Sequence, residues 1–467
     1  MGRGIRTAAS PAGAIAVDGR LFAVPNNVTT RTSPVRGVRP ERGLWRLLGP
    51  AFVASIAYVD PGNVAANLTA GAAHGYLLVW VLVASNATAV LVQYLSAKLG
   101  LVTGMSLPEL LGRRLGRWPR LSFWVQAEVV AAATDVAEVV GGAIALSLLF
   151  NLPLVWGGLI TGAVSMVLLT IQSRRGQQPF EFVIMGLLVI IAFGFLAGLF
   201  VSPVDWVEAA GGLVPRFDGP GTVILAASML GATVMPHAIY LHSALARDRH
   251  MPCFGPEAQR PADCTGAASL ASSTSDAAVK HRSRLPRLLR ATKFDVFWSL
   301  IIAGSVNIAM LLLAAASLRG VGGTDTIAGA HHAIVDALGP AIGMIFAIGL
   351  LASGLASTSV GAYAGAVVMG GLIKKRIPLL VRRLLTLIPA LVVLGIGADP
   401  TYALVLSQVV LSLGIPFALI PLVRLTNSRT VMGEYATGLA MRAVAWSVVA
   451  LIVALNLTLL AITFTAA

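Results

Sequence analysis

The chain has few charged residues and few cysteines, and both shortages limit what it can be. Only 12% of its 467 residues are charged, whereas a soluble domain carries about 25%. The two cysteines, Cys253 and Cys264, are expected to be free thiols because they lie in a segment predicted to face a reducing compartment, and no spacing of Cys and His around them forms a zinc site. The sequence also lacks a nucleotide-binding glycine loop and a catalytic-triad pattern. These shortages make an enzyme the least favoured class of function.

Apolar residues are abundant instead, at 57% of the chain. They form runs of roughly 20 residues, long enough to cross about 30 Å of hydrocarbon. We predict a single transmembrane domain, 47–465, with eleven membrane-spanning segments. The predicted segments are 47–70, 75–98, 121–149, 153–172, 180–201, 221–246, 294–317, 337–372, 379–397, 401–424 and 436–465.

The excess of basic residues, which gives a net charge of +14, indicates membrane orientation and argues against a nucleic-acid partner. With the N-terminus in the cytoplasm, all but three of the 34 Lys and Arg lie on the cytoplasmic side; the exceptions are Arg216, Arg319 and Arg442. This distribution is the positive-inside bias that sets orientation during insertion. We therefore predict a multi-pass protein of the cell inner membrane, with the N-terminus cytoplasmic and the C-terminus outside.

Two long hydrophilic segments interrupt the apolar pattern. Residues 1–46 are rich in arginine and hold no apolar stretch long enough for a signal peptide, so we predict a disordered cytoplasmic tail. Residues 247–293 are predicted to form a long flexible cytoplasmic loop. The basic run near its end is expected to contact anionic lipid, with about 1 kcal/mol for each basic residue near the surface.

Two apolar stretches are each broken near the middle by a proline. The first break is Asp60-Pro61-Gly62-Asn63, and the second is at Pro236. A membrane helix loses backbone hydrogen bonds only where the freed groups are buried in protein or line a cavity. Matching Gly or Pro interruptions in the two halves of a transporter are the best indication in a sequence of its substrate site. The two breaks therefore predict a protein that moves an ion.

The side chains at the breaks suit a transition-metal cation. Asp60 supplies an anionic oxygen and Asn63 an amide oxygen, while the backbone carbonyl near Ala232, one turn before Pro236, is freed to bind. Met235 offers a thioether, a soft ligand that favours transition metals over Mg²⁺ and Ca²⁺. The structural alternatives are that Asp60 only caps a helix and that Met235 only fills the core.

Two histidines, His237 and His242, follow the second break. Each could bind metal or carry protons, because histidine titrates near neutral pH. Each could equally be a hydrogen-bonded residue of the interior, and the sequence leaves these possibilities open.

Three acidic residues, Glu128, Asp135 and Glu138, lie within about 80° of each other on one predicted helix. Three ionised carboxylates in an apolar helix are costly unless they are paired, protonated or hydrated. Arg382 and Arg383 are the only basic candidates near that depth. We favour a proton relay for this acidic stripe, and a static salt bridge is the alternative.

These motifs resemble those of a known family. Asp60-Pro61-Gly62-Asn63 and Met235-Pro236-His237 look like the two signature motifs of the Nramp family of divalent-metal transporters. The similarity covers about residues 45–465. Other segments that resemble the family are Leu95-Ser96-Ala97-Lys98-Leu99-Gly100, Ala133-Thr134-Asp135 with Glu138, Tyr240-Leu241-His242-Ser243, Leu406-Ser407-Gln408 and Gly414-Ile415-Pro416-Phe417.

The resemblance implies an all-α membrane protein with the LeuT-type fold. This fold has ten core helices in two inverted five-helix repeats, here about 47–201 and 221–424, with helices one and six unwound, and an eleventh helix at 436–465. The implied activity is import of Mn²⁺ or Fe²⁺ coupled to proton movement by alternating access, with the metal as cargo and no resident cofactor. Its partners would be the metal ion, protons and membrane lipid, and the protein is expected to be a monomer.

The resemblance also assigns residues to the site. The implied metal ligands are Asp60, Asn63, Met235, the carbonyl of Ala232 and, in an occluded state, Gln408. The implied proton pathway comprises Asp60, His237, His242, Glu128, Asp135, Glu138, Arg382 and Arg383. A sodium- or proton-coupled amino-acid carrier of the same fold is the alternative; it would explain the broken helices but not the methionine beside the proline.

Overall fold

A computed structural model describes residues 14–17, 20–23, 49–175, 177–250, 273–324, 326–374 and 378–466. The chain divides into an N-terminal unit that ends at Gly43 and a helical unit that begins at Leu44.

The described part of the N-terminal unit is a short hairpin. Strand β1 (Ala14–Val17) pairs antiparallel with strand β2 (Arg20–Ala23). The sequence between the strands is Asp18-Gly19, a pair typical of tight hairpins. These eight residues fall within the segment 1–46 predicted as a disordered cytoplasmic tail, which stays a prediction. The rest of segment 1–46 lies outside the described residues.

The helical unit contains all the other described elements. Its α-helices are α1 (Pro50–Ile56), α2 (Pro61–His74), α3 (Val79–Thr103), α4 (Leu107–Arg114), α5 (Arg117–Phe150), α6 (Leu154–Arg175), α7 (Gln177–Val201), α8 (Trp206–Gly211), α9 (Gly219–Thr233), α10 (Pro236–His250), α11 (Ser273–Ser317), α12 (Ile327–Leu338), α13 (Pro340–Leu372), α14 (Leu379–Gly395), α15 (Pro400–Asn427), α16 (Arg429–Met432) and α17 (Leu439–Ala466). Two 3₁₀ turns, Ala57–Val59 and Gly433–Tyr435, complete it.

Nine helical segments of the described chain are long and apolar enough to cross a membrane. Two of the eleven predicted spans fall short of this. The first is broken into α1, with 7 residues, and α2, with 14, and the ninth corresponds to α14, with 17 residues and two arginines. Length and composition therefore support a multi-pass membrane protein without establishing the count of eleven.

Two helices extend into the segment 247–293 that was predicted as a cytoplasmic loop. Helix α10 continues to His250, and α11 is already helical from Ser273. Leu285 and Leu289, one helical turn apart, are buried and belong to one apolar cluster with residues of α3. This packing stabilises the start of α11 as a helix, although its many basic residues favour a loop. Cys253 and Cys264 lie outside the described residues.

Helix α5 occupies the interior and carries the acidic stripe. It runs for 34 residues and packs against α13, α14 and α15. Small residues permit this packing: a Cβ added to Gly354 on α13 would lie 2.9 Å from the backbone nitrogen of Gly142 on α5. Helix α5 also contacts α14, which carries two arginines, and the helices α2 and α10 that follow the two breaks.

Candidate metal site

The first break places Asp60 at the start of α2. The chain leaves α1 through a 3₁₀ turn, and Asp60 then adopts an extended conformation with φ −72° and ψ 167°. Its Oδ1 accepts hydrogen bonds from the backbone nitrogen of Asn63 at 2.8 Å and from Asn63 Nδ2 at 2.7 Å. Asp60 therefore does cap α2, as the structural alternative requires, but the cap uses only one of its two oxygens.

The second break separates α9 from α10. Val234 leaves the helical conformation, with φ −105° and ψ 67°, and α10 begins at Pro236. Because proline has no N–H, the carbonyl of Ala232 lacks its normal helical donor. That carbonyl instead accepts from Asn63 Nδ2 at 2.9 Å. Met235 lies between the two helices and is fully buried. The two breaks are thus joined directly through Asn63 and Ala232.

Helix α15 brings Gln408 to the same place. Its Nε2 lies 3.5 Å from Asp60 Oδ2. A Cβ on Gly62 would overlap the Gln408 side-chain amide, and a Cβ on Gly231 would overlap the Gln408 backbone oxygen. Glycine is therefore required on both broken helices for α15 to approach them this closely. Four of the five predicted ligands, Asp60, Asn63, Ala232 and Gln408, meet at this point.

Two oxygens of the cluster are buried without a hydrogen bond. Neither Asn63 Oδ1 nor Gln408 Oε1 has a partner among the described residues, and both side chains are fully buried. Most buried polar atoms are hydrogen-bonded, and leaving one unsatisfied costs about 1–3 kcal/mol. Within the described chain, no three His, Cys, Asp or Glu residues cluster as a metal site. The cluster has a different composition: one carboxylate, two amides and a backbone carbonyl, with the Met235 thioether three residues after Ala232 in the chain.

A polar network that the sequence did not reveal supports the first break. Gln93 Nε2 donates to the Tyr58 hydroxyl, and Asn307 Nδ2 donates to the Tyr58 carbonyl at 2.7 Å. Ser353 Oγ donates to the Val59 carbonyl at 2.6 Å. The bonds from Asn307 and Ser353 satisfy backbone carbonyls beside the helix break, and the bond from Gln93 holds the Tyr58 side chain. The only local signal of Gln93, Asn307 and Ser353 is a polar residue in an apolar helix.

The two histidines occupy different surroundings. His242 Nδ1 lies 2.8 Å from Gln93 Oε1, so this histidine joins the network around Tyr58. His237 Nδ1 lies 3.4 Å from Thr134 Oγ1 on α5. Neither histidine has a partner for its Nε2 within the described chain. The structure therefore places His237 beside α5 and His242 beside Gln93 on α3.

The acidic stripe of α5 faces the arginines of α14. Arg383 Nη1 donates to Asp135 Oδ1 at 2.7 Å, and Arg383 Nε donates to Ser165 Oγ at 2.9 Å. Arg382 contacts both oxygens of Glu128 at 2.9 Å. The two neighbouring arginines thus pair with acids two helical turns apart.

Glu138 connects this stripe to the first break. Its Oε2 has no hydrogen-bond partner among the described residues. A Cβ on Gly141, three residues further along α5, would overlap the Pro61 ring. Helix α5 therefore closely approaches the helix that Asp60 caps, at the Glu138 end of the stripe.

The arrangement of two broken helices joined at a polar cluster can be compared with known proteins. Residues 51–462 match the family described as Nramp, natural resistance-associated macrophage protein-like. The chain belongs to the Nramp family. This Nramp protein is 58% identical over 422 residues to "Divalent metal cation transporter MntH" of Mycobacterium tuberculosis (strain ATCC 25618 / H37Rv), with 90% of this chain and 92% of the relative covered. It is 42% identical over 429 residues to the protein of the same name from Bacillus subtilis (strain 168), with 91% and 94% covered.

Solved structures agree with the Nramp assignment. A crystal structure of the Eremococcus coleocola manganese transporter, in complex with an aromatic bis-isothiourea substituted compound, matches with a TM-score of 0.74 at 29% identity and covers 89% of this chain and 86% of that one. The structure of MhsT in complex with L-phenylalanine matches with a TM-score of 0.54 at 15% identity, covering 87% and 98%, and shows likeness of fold alone. The predicted family and the predicted LeuT-type, all-α fold with broken helices are confirmed.

Proposed function

We propose that this Nramp protein imports a divalent transition-metal ion, Mn²⁺ or Fe²⁺, through the cell inner membrane. The observation that carries the proposal is the junction of the two breaks, where Asn63 reaches the Ala232 carbonyl and Gln408 reaches Asp60. The names of its relatives, a divalent metal cation transporter and a manganese transporter, support a metal ion as cargo. Alternating access would carry the ion inwards, with the N-terminus cytoplasmic and the C-terminus outside.

The proposed ligands are the Asp60 carboxylate, Asn63 Oδ1, the Ala232 carbonyl, the Met235 thioether and Gln408 Oε1. Asn63 Oδ1 and Gln408 Oε1 are the two cluster oxygens without hydrogen-bond partners among the described residues. A cation would satisfy both and would also balance the buried charge of Asp60. The single carboxylate and the soft sulfur together favour a transition metal over Mg²⁺ or Ca²⁺.

Metal competition in proteoliposomes tests the proposed function. Uptake of Mn²⁺ should proceed at two pH values and resist an excess of Mg²⁺ or Ca²⁺. Internal acidification recorded in the same vesicles should accompany metal entry. If labelled amino acids enter the vesicles and Mn²⁺ does not, the alternative of an amino-acid carrier is favoured.

Met235 is proposed to set metal selectivity. Replacing it by alanine should preserve Mn²⁺ transport while weakening the exclusion of Ca²⁺ and Mg²⁺ by about tenfold, because an oxygen-rich site tolerates hard cations. The measurement is competition of each cation against Mn²⁺ uptake. Met229→Ala is the matched control, since Met229 is also fully buried but lies earlier on α9. If both variants exclude Ca²⁺ as well as the parent does, Met235 only fills the core.

Proton movement is proposed to follow a separate route through α5. Glu138 lies at the end of the acidic stripe that approaches the first break, and the paired acids Asp135 and Glu128 lie further away along the same helix. Chains of acidic residues in membrane helices commonly mark proton pathways. Protons would pass between Asp60 and the stripe, with His237 beside α5 as a further carrier. His242 is a less direct one, because it is bonded to Gln93.

Asp135→Asn tests this route. We expect the substitution to change internal acidification, and its dependence on pH and voltage, more than Mn²⁺ affinity, because Asp135 pairs with Arg383 and not with a proposed ligand. Acidification and Mn²⁺ uptake are measured in the same liposomes. If acidification per Mn²⁺ ion is unchanged across the pH range, the acidic stripe forms only structural salt bridges.

A further inference from the structure

Helix α15, which carries Gln408, contains two internal prolines that each remove a helical hydrogen bond. Pro416 and Pro421 have no N–H, so the carbonyls four residues earlier, those of Ser412 and Phe417, lose their normal donors. A freed carbonyl inside a membrane protein needs another donor, because hydrocarbon supplies none. Side chains from two other helices occupy these positions.

The carbonyl freed by Pro416 is bound by the last helix of the described chain. Asn456 on α17 donates from Nδ2 to the Ser412 carbonyl at 2.8 Å. In return, Ser412 Oγ donates to Asn456 Oδ1 at 2.7 Å. Both side chains are buried. The side-chain amide therefore replaces the backbone donor that proline lacks and is itself held in place by the serine hydroxyl.

The carbonyl freed by Pro421 is approached by a side chain of a different helix, α10. The Tyr240 hydroxyl on α10 lies 3.5 Å from the Phe417 carbonyl, which is a long contact for a hydrogen bond. The tighter of the two replacements is thus the one made by α17.

The bond from Asn456 is made directly beside the candidate metal site. Ser412 follows Gln408 by one helical turn. A Cβ on Gly231, in the second broken helix, would lie 2.9 Å from both the Cβ and the backbone nitrogen of Ser412. Two residues after Ser412, a Cβ on Gly414 would lie 3.3 Å from Cγ of Pro236. The segment held by Asn456 therefore packs against the second break on both sides of Ser412.

We propose that Asn456 is a positioning residue for the metal site. By replacing the hydrogen bond that Pro416 removes, it fixes the shape of α15 at Ser412 and so places Gln408 against the two broken helices. Helix α17 is then part of the binding machinery and not only an additional span. The metal-affinity part of this inference rests on the proposed function, whereas the hydrogen bond itself does not.

Asn456→Leu removes the donor with little change in volume. We expect it to weaken Mn²⁺ binding by calorimetry about fivefold to tenfold, since a buried carbonyl is left without a partner beside the site. Ser412→Ala keeps the Ser412 carbonyl and its bond to Asn456 and should weaken binding less. Thr458→Ala is the control on the same helix: Thr458 is exposed and its hydroxyl bonds within α17, to the Ala454 carbonyl.

Pro416→Ala provides the decisive comparison, because it returns an N–H to the position that Asn456 serves. In this background, Asn456→Leu should change Mn²⁺ affinity little beyond what Pro416→Ala alone does. Equal losses in both backgrounds, or no loss in either, would overturn the proposal. A merely structural role for Asn456 predicts equal losses, because the packing of α17 does not depend on whether residue 416 carries an N–H.

Thermal unfolding without metal separates failure of this inference from failure of the proposed function. Asn456→Leu should lower the Tm by about 2 °C in the parent and by less in the Pro416→Ala background. If the parent binds no Mn²⁺ but the Tm values show this coupling, the hydrogen bond stands and the proposed function fails. If the parent binds Mn²⁺ and neither affinity nor Tm shows the coupling, the inference about Asn456 fails alone.

Discussion

Replacing Asp60 by alanine is expected to abolish Mn²⁺ binding while the protein still folds and inserts. Asp60 supplies the only carboxylate among the proposed ligands, so its loss removes the anionic charge that opposes the cation. We expect affinity to fall at least about a hundredfold, which corresponds to about 2.7 kcal/mol. Stability should change less, because the lost helix cap contributes about 1 kcal/mol and removal of a buried charge offsets part of that.

A matched control separates the two roles of Asp60, as the cap of α2 and as a metal ligand. Asp399 stands before Pro400 as Asp60 stands before Pro61, and it caps α15 by accepting from the Tyr402 backbone nitrogen at 2.6 Å. Asp399→Ala should therefore lose a comparable cap and keep normal Mn²⁺ affinity. Asp60→Asn keeps a capping oxygen and loses the charge, so it should bind as poorly as Asp60→Ala. Calorimetry that finds near-normal affinity in purified Asp60→Ala would refute the assigned role of Asp60.

The broken helices could be predicted because their cause is local. Proline removes a donor wherever it stands in an apolar stretch, so the breaks before Pro61 and Pro236 are visible in the sequence. The family and the LeuT-type fold followed from the residues around those breaks, and both are confirmed. The contact between Asn63 and the Ala232 carbonyl could not be read from a pattern, because it joins residues 169 apart in the chain.

Some features of the structure could not be predicted from the sequence. They depend on packing between distant residues, or on apolar residues within a stretch whose overall composition is polar. Gln93 and Asn307 support the first break from α3 and α11, and nothing in their own segments indicates what they bind. The loop predicted at 247–293 is polar and basic, yet α11 begins within it at Ser273. Two buried leucines, Leu285 and Leu289, pack in a cluster with α3 in spite of that composition.

The acidic stripe of α5 could be predicted from the sequence only in part. A period of 3.6 residues places Glu128 and Asp135 on one face, and the structure has both acids facing α14. Periodicity does not decide which arginine each acid contacts, because adjacent residues such as Arg382 and Arg383 differ by 100° around their helix. The pairing depends on the position of α14 beside α5. Whether the stripe carries protons stays a prediction.

Arg383→Met is expected to destabilise the protein strongly. The Arg383 and Asp135 side chains are 0% and 3% exposed, so removal of the arginine leaves an unpaired carboxylate in the interior. Breaking a buried ion pair by removing one partner costs about 3–5 kcal/mol, whereas replacing both partners is often neutral. The double variant with Asp135→Asn should therefore recover most of the loss. Unfolding in detergent micelles measures both effects.

Arg382→Met is the matched control for this experiment. Arg382 precedes Arg383 and pairs with Glu128, but the Glu128 side chain is 24% exposed, so its unpaired carboxylate is partly hydrated and should cost less. Equal destabilisation by the two single variants, with no recovery in the double variant, would show that burial of the Asp135 pair does not determine stability.

The same double variant also separates the two explanations of the acidic stripe. If Asp135 only balances the charge of Arg383, restoring stability should restore acidification together with Mn²⁺ uptake. If Asp135 passes protons, the double variant should be stable and transport metal with little acidification, because an amide and a thioether cannot exchange a proton near neutral pH. In that case the double variant recovers stability but not proton movement. A static salt bridge between Arg383 and Asp135 does not predict this difference.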